Sequence, residues 1–174
     1  KKLLLLTILS AFFLSCENNT TDLVIGSTLG NDGESSEIVV GDTSNQQVWI
    51  DYIDAHNNRN LDKIAEINAD NWVGYPPNGN VIRGNEAHIE FLGEWFKSTA
   101  NPQWTVKWMI ANRGADVEGV MQEFLTTGND ITFIDEEGNE VVENHVHDIM
   151  FENGKIRTIF VYSKPEPTAE SEEE

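Results

Sequence analysis

"HVHDIMFENGKIRTIFVYS", residues 145–163, decides the fold. Two apolar-rich runs with period-two alternation flank Asn153-Gly154, the dipeptide that favours a tight two-residue hairpin turn. The spacing predicts two antiparallel strands, with His145, His147 and Ile149 on one face and Val146, Asp148 and Met150 on the other.

Upstream of this hairpin the period stays at two back to residue 103. In "QWTVKWMIAN" (103–112), Trp104, Val106, Trp108 and Ile110 alternate with Thr105, Lys107 and Met109. "DVEGVMQEFLTTG" and "ITFI" continue as strand candidates, and "DEEGNE" reads as a turn. Before residue 100 the period is helical. Trp49, Tyr52, Ile53 and His56 form one stripe, with Thr43 or Ser44 as cap; Leu61, Ile64, Ala65 and Asn68 form a second. His88, Phe91, Leu92, Trp95 and Phe96 form a third, in a helix that Asn85 opens. "GYPPNGNVIRG" is a loop by its prolines and glycines. Helices followed by an antiparallel meander predict an α+β domain over residues 45–164, its helices packed on one face of the sheet. Trp49, Ile53, Phe91, Trp95 and Phe160 are the expected core.

The ends read differently. Lys1-Lys2, an apolar run over Leu3–Leu14 and then Ser15-Cys16 follow the order of a secretory signal peptide. The run is too short for a permanent membrane span of about 20 residues. Cys16 is the only cysteine, so an internal disulfide is ruled out. Its place resembles the lipobox of bacterial lipoproteins, in a loose form like that of Bacteroidetes-type lipoproteins. Phe13-Leu14-Ser15 departs from the usual Leu, small residue, then Gly or Ala. The resemblance implies acylation of Cys16, cleavage leaving it first, and a place in the cell envelope on a lipid anchor. Residues 17–44, rich in Asn, Thr, Ser, Gly and Asp, read as a flexible tether with no folded contact before about Gln46. Residues 165–174 read as a disordered acidic tail. A formal charge of −19 excludes nucleic acid as a partner, because phosphate backbones repel it. It also excludes electrostatic docking on anionic lipid, leaving the lipid anchor as the membrane link.

Within the domain, "NNRNLDKIAEINADNW", the Pro/Gly loop closing on "IRGNEAHIEFLGEWF", and "HDIMFENGKIRTIFVY" together resemble the SnoaL-like branch of the nuclear transport factor 2-like superfamily. The likeness spans residues 45–163. It implies a cone-shaped, strongly curved antiparallel sheet wrapped by three N-terminal helices, with a pocket inside. Members include ketosteroid isomerases, polyketide cyclases, dehydratases and non-catalytic binding domains, so the pocket residues must settle function. In the isomerases a helix-one tyrosine and an acid on the penultimate strand form an oxyanion hole, while a loop carboxylate moves the proton. The resemblance puts Tyr52 at the tyrosine position and Pro76 or its neighbours where the carboxylate belongs. No carboxylate lies between Asn71 and Arg83, which argues against steroid-isomerase chemistry.

Counting back from Phe151 puts His147 at the position of the oxyanion-hole acid; counting back from Gly154 gives His147 or Asp148. A slip of one residue exchanges the faces. The alternation favours His147 inward and Asp148 outward, with Ile156, Thr158 and Phe160 as inward neighbours. Two functions follow: a pocket that binds a small, largely apolar molecule, or a lyase, isomerase or cyclase using His147 with Tyr52 or Asp148. Trp72, Trp95, Trp104, Trp108, His56 and His145 are the remaining candidate ligand contacts. "HVH" raises zinc, with His56, His88 and Glu143 as further ligands, but no third ligand stands at a fixed local spacing, and neither metal nor cofactor is expected. A homodimer through the sheet is a further expectation.

Overall fold

The computed structural model describes residues 22–165 apart from residues 32, 99 and 117, and leaves the side chain at 165 undescribed. Cys16, the leader and residues 166–174 of the acidic tail lie outside the described residues.

Among the described residues there are three helices: α1 (Ser44–Asn57), α2 (Leu61–Ile67) and α3 (Asn85–Lys97). On α1 the buried positions Asn45, Trp49, Tyr52, Ile53 and His56 recur at helical spacing. Asn60 caps α2, its side chain accepting from Lys63 N–H at 3.0 Å.

Among the described residues eight strands form one sheet: β1 (Val24–Leu29), β2 (Ser35–Val40), β3 (Asn68–Tyr75), β4 (Ile82–Arg83), β5 (Gln103–Ala115), β6 (Met121–Ile134), β7 (Glu140–Glu152) and β8 (Lys155–Pro165). Their order is β1-β2-β5-β6-β7-β8-β3-β4. All neighbours are antiparallel except β3 and β8, which are parallel. The fold is thus α+β with three helices and an antiparallel-dominant sheet. The helices are interleaved with strands instead of all preceding them, since β1 and β2 come before α1, and β3 and β4 before α3.

The stretch read as a tether contains β1 and β2. Only Val39 of this hairpin is well buried, at 6% exposure, so it carries little of the apolar signal by which a strand is read. Its support is the backbone ladder: β2 pairs with β5 through Val39↔Arg113 and Val40↔Asn112. Asp22 adds an ion pair to Arg113.

Cross-strand register lines up four inner rows. Ala111, Leu125, Ile149 and Ile159 form the first; Met109, Thr127, His147 and Val161 the second; Val106, Asn129, His145 and Ser163 the third; Trp104, Ile131 and Glu143 the fourth. Two bulges set this alignment. Val106 pairs with Asn129 and Trp108 with Gly128, so Lys107 is the extra residue on β5. Phe151 pairs with Ile156 and Met150 with Thr158, so Arg157 is the extra residue on β8. Each bulge reverses which parity faces the helices. Trp108 and Ile110 therefore lie on the outer face, 45% and 51% exposed, whereas Met109 packs on the core. Phe160 lies outside as well, half-exposed and stacked on Tyr75, with Ile159 and Val161 inside. Ile156 is inward as expected; Thr158 is buried on the outer side, beside Asp148 and Phe160. Phe91, expected in the core, is half-exposed on α3.

The turn "ENGK" places Asn153 and Gly154 at φ 53° and 74°, as the two-residue hairpin turn requires.

Ile149 is fully buried in the first row, so Ile149→Ala is expected to cost about 2–5 kcal/mol. Ile110→Ala, beyond the β5 bulge, is expected to cost under about 0.5 kcal/mol. Urea unfolding of both variants checks the parity; equal losses would place the bulge elsewhere.

Candidate functional site

Between the helices and the inner rows lies a cavity of about 180 Å³. Trp49, Tyr52 and His56 reach it from α1, Trp72 from β3, and His88 and Trp95 from α3. Trp104, Ile131, His145 and His147 close it from the sheet, and Pro76 and Pro77 from the loop. None of its nineteen lining residues carries a carboxylate, ammonium or guanidinium group. All four histidines of the chain line it.

Buried imidazoles need partners, and those partners fix each tautomer. Trp49 Nε1–H donates to Asn129 Oδ1 at 3.2 Å. An indole can only donate, so this contact orients the amide. Asn129 Nδ2–H then donates to His147 Nδ1 at 2.8 Å. His147 Nδ1 is thereby an acceptor, and neutral His147 carries its proton on Nε2. His88 is fixed the same way from behind. Asn85 Nδ2–H donates to the Ala65 carbonyl at 2.9 Å, and Asn85 Oδ1 accepts from Asn68 Nδ2–H at 2.8 Å. Asn68 also donates to His88 Nδ1 at 3.0 Å, leaving His88 with Nε2–H. His56 is opposite in sense: its Nδ1–H donates to the Tyr52 carbonyl at 2.8 Å, so Nε2 is its acceptor. These three rings thus offer two N–H donors and one nitrogen acceptor, held without charge.

Electrostatics agree with neutral rings. Burial, reinforced by His145 and His56, pulls the His147 pKa down to about 3. Burial and then His56 lower His88 to about 3. Burial lowers His56 to about 4 against the opposing Tyr52 carbonyl. Burial also raises the Tyr52 phenol. Its hydroxyl lies by Asn68 and Trp72, yet Tyr52 Oη, Asn68 Oδ1 and Trp72 Nε1 form no hydrogen bond of ordinary geometry.

The aromatic walls are ordered by stacking. Trp72 lies flat on His88, centroids 3.8 Å apart at 9°. Trp95 meets Trp104 edge-on at 5.4 Å, and Tyr52 packs on His56 at 4.4 Å. Gly74 leaves room for the Trp72 indole, since a Cβ there would stand 2.3 Å from its ring.

Of the expected site residues, His147, Tyr52, His56, His145, Trp72, Trp95 and Trp104 are brought together. Asp148 is not. It faces the outer side, where Thr126 Oγ1–H donates to it at 2.6 Å. Trp108 is also outside, because of the Lys107 bulge. His147 hydrogen-bonds Asn129 and not Tyr52.

The sequence reading missed Asn68 and Asn129 and did not place Glu143 beside His145. His145 Nε2–H donates to Glu143 Oε2 at 3.0 Å, and Glu143 is a quarter exposed. A signal was present: each histidine stands where an apolar residue is due. Among the described residues, no group of three or more His, Cys, Asp or Glu is placed to hold a metal ion.

A family model described as a SnoaL-like domain matches residues 49–159. No curated protein sequence matches the chain. SalBIII, an epoxide hydrolase/cyclase-like enzyme in pyran ring formation in the polyether salinomycin, is similar in fold at 18% identity and TM-score 0.55, over 70% of this chain and 91% of that one. An epoxide hydrolase of the LEH-like kind from M. tuberculosis is similar at 15% identity and TM-score 0.56, over 70% and 84%. An NTF2-like protein of unknown function from Cytophaga hutchinsonii is similar at 16% identity and TM-score 0.50, over 70% and 90%. At these identities the likeness is one of fold.

Three histidines with depressed pKa values tie stability to pH. Unfolded histidine titrates near 6.5, so as pH falls below that value the unfolded state binds protons that the folded state refuses. The stability is complete above about pH 6.5 and is lost as pH falls towards the folded values near 3 and 4. Between pH 6 and 5, roughly the window where this applies, His147→Gln is expected to flatten the slope by about 1.4 kcal/mol per pH unit. Urea unfolding across that range checks it; an unchanged slope would mean that His147 is charged in the fold.

Proposed function

The chain belongs to the SnoaL-like domain family, and from that premise we propose that its cavity binds a small, flat, uncharged molecule bearing an oxygen acceptor. One observation carries this reading: a wholly uncharged lining, walled by indoles and neutral imidazoles, in a chain of net charge −19. An ion entering it would lose its hydration and meet no countercharge. A neutral ring system loses little, gains apolar contact with Trp72, Trp95 and Trp104, and presents its oxygen to the His147 N–H. The volume suits one or two fused rings, since an apolar cavity of about 150 Å³ takes up benzene. The family's cone-shaped arrangement is part of the same reading, the cavity occupying its inside.

A second reading, proton-moving catalysis of the lyase, isomerase or cyclase kind, is favoured by the N–H donor of His147. Tyr52 is a weak partner for it because its phenol is held protonated by burial, and Asp148 is on the other face.

The proposal also places the domain at the bacterial cell envelope, held by acylated Cys16. Its support is the order of residues 1–16.

Two outcomes are expected. 2-Tetralone should quench tryptophan fluorescence saturably, and 2-naphthoate, of similar shape but anionic, should bind at least about tenfold more weakly, a difference of about 1.4 kcal/mol. His147→Ala should weaken 2-tetralone and Asp148→Ala should not; equal affinity for naphthoate would sink the uncharged-ligand reading. For the anchor, Cys16→Ser is expected to move the protein from the membrane fraction to the soluble envelope fraction. Unchanged partition would rule acylation out.

A further inference from the structure

The β1–β2 hairpin stands outside residues 49–159, which the family model matches, so membership of the family gives it no task. β1 ends the sheet, and among the described residues it pairs with β2 alone. Gly30 N–H donates to the Glu34 carbonyl at 2.9 Å where the hairpin closes. Alternation from that bond turns the backbone N–H and C=O groups of Ser27 and Leu29 away from β2.

An open strand edge is a template for another strand, and proteins blunt such edges with charges, above all lysine, with proline or with bulges. Residues 23–29, "LVIGSTL", contain neither charge nor proline. The one guard is a bulge at Ile25, and beyond it residues 26–29 pair with 35–38 in regular register. The apolar side chains are uncovered as well. Leu23 and Leu29 are 68% and 74% exposed, and Val24 and Ile25 are half-exposed.

Two features select a second copy of this chain as the strand that fits. Identical strands paired antiparallel are related by a two-fold axis normal to the sheet, so each offers the other the same donors and acceptors in matching order. Charge selects the place: copies of net charge −19 repel wherever carboxylates meet. The outer side of α3 presents Glu86, Glu90 and Glu94 to solvent, whereas β1 sets no charge opposite its own copy.

We propose that β1 is a homodimer edge, at which the β1 strands of two copies pair antiparallel through the outward backbone groups of Ser27 and Leu29 and join two sheets into one. The exposed Leu23, Val24, Ile25 and Leu29 pack across the junction as cross-strand neighbours. The contact is edge to edge, distinct from the packing of sheet faces, and independent of what the cavity binds.

Sedimentation velocity of the full chain tests this, with Cys16→Ser in every sample so that no acyl chain adds an association of its own. The dimer fraction should rise with concentration and with added salt, which screens the like charges. Ser27→Pro removes an outward N–H and spares the ladder to β2. Losing one hydrogen bond from each copy should raise the dimer Kd at least about tenfold, with the circular dichroism spectrum unchanged. Bonding through Ser27 and Leu29 puts the two Ser27 side chains on one face, within reach of each other. Ser27→Lys and Ser27→Glu should therefore each be monomeric, and an equimolar mixture of the two should recover the dimer.

A chain that stays monomeric at its highest soluble concentration in added salt would overturn the proposal. A dimer untouched by Ser27→Pro would place the contact on another surface and overturn it equally. Failure of the mixed lysine and glutamate variants to recover a dimer would overturn the two-fold pairing of β1.

Discussion

Burying four imidazoles in one uncharged cavity is the constraint on which the structure depends. A buried histidine must either stay neutral or find a countercharge, and it must find a partner for at least one nitrogen. Asn129 and Asn68 meet this need for His147 and His88, and the Tyr52 carbonyl meets it for His56. Each amide is in turn oriented from behind, by the Trp49 indole or by Asn85 and the Ala65 carbonyl. Three of these orienting groups, Asn68, Asn85 and Asn129, stand outside the cavity lining. Only His145 reaches a carboxylate, and it does so at the margin where Glu143 meets solvent.

The sheet delivers these groups through its register. Four inner rows carry, in turn, aliphatic residues, Thr127 with His147, Asn129 with His145, and Trp104 with Ile131 and Glu143. The first row is dry core; polar side chains enter in the second and third rows, and in the fourth Glu143 stands beside Trp104 and Ile131. Bulges at Lys107 and Arg157 keep Met109, Ile159 and Val161 on the inner side, with Trp108 and Phe160 beyond it. Counted from Trp104 and Val106 without the β5 bulge, position 108 would fall on the inner face.

The opposite face is built on different chemistry. Asp148 is bonded to Thr126, Phe160 stacks on Tyr75, and the β1–β2 hairpin extends the sheet past β5. This hairpin shows how a segment of low apolar content gains order: its backbone groups are satisfied by a ladder, and little side-chain burial is involved.

By itself the sequence determined the α+β class, the presence of the three helices, the Asn153-Gly154 turn and the inward side of His147. In each of these, periodicity runs unbroken through the residues concerned, and local spacing is enough to fix a face. It also determined that the loop after β3 brings no carboxylate, since residue identity alone answers that. Tertiary structure decided the faces of Trp108 and Phe160, because a bulge is an extra residue defined against a pairing strand, and alternation counted along one chain passes over it. It decided the order of β1 and β2, since β2 pairs with a strand some seventy residues away. And it decided which nitrogen of each histidine carries the proton: a ring's composition is the same in either tautomer, and only the donor or acceptor placed against it by another element distinguishes the two.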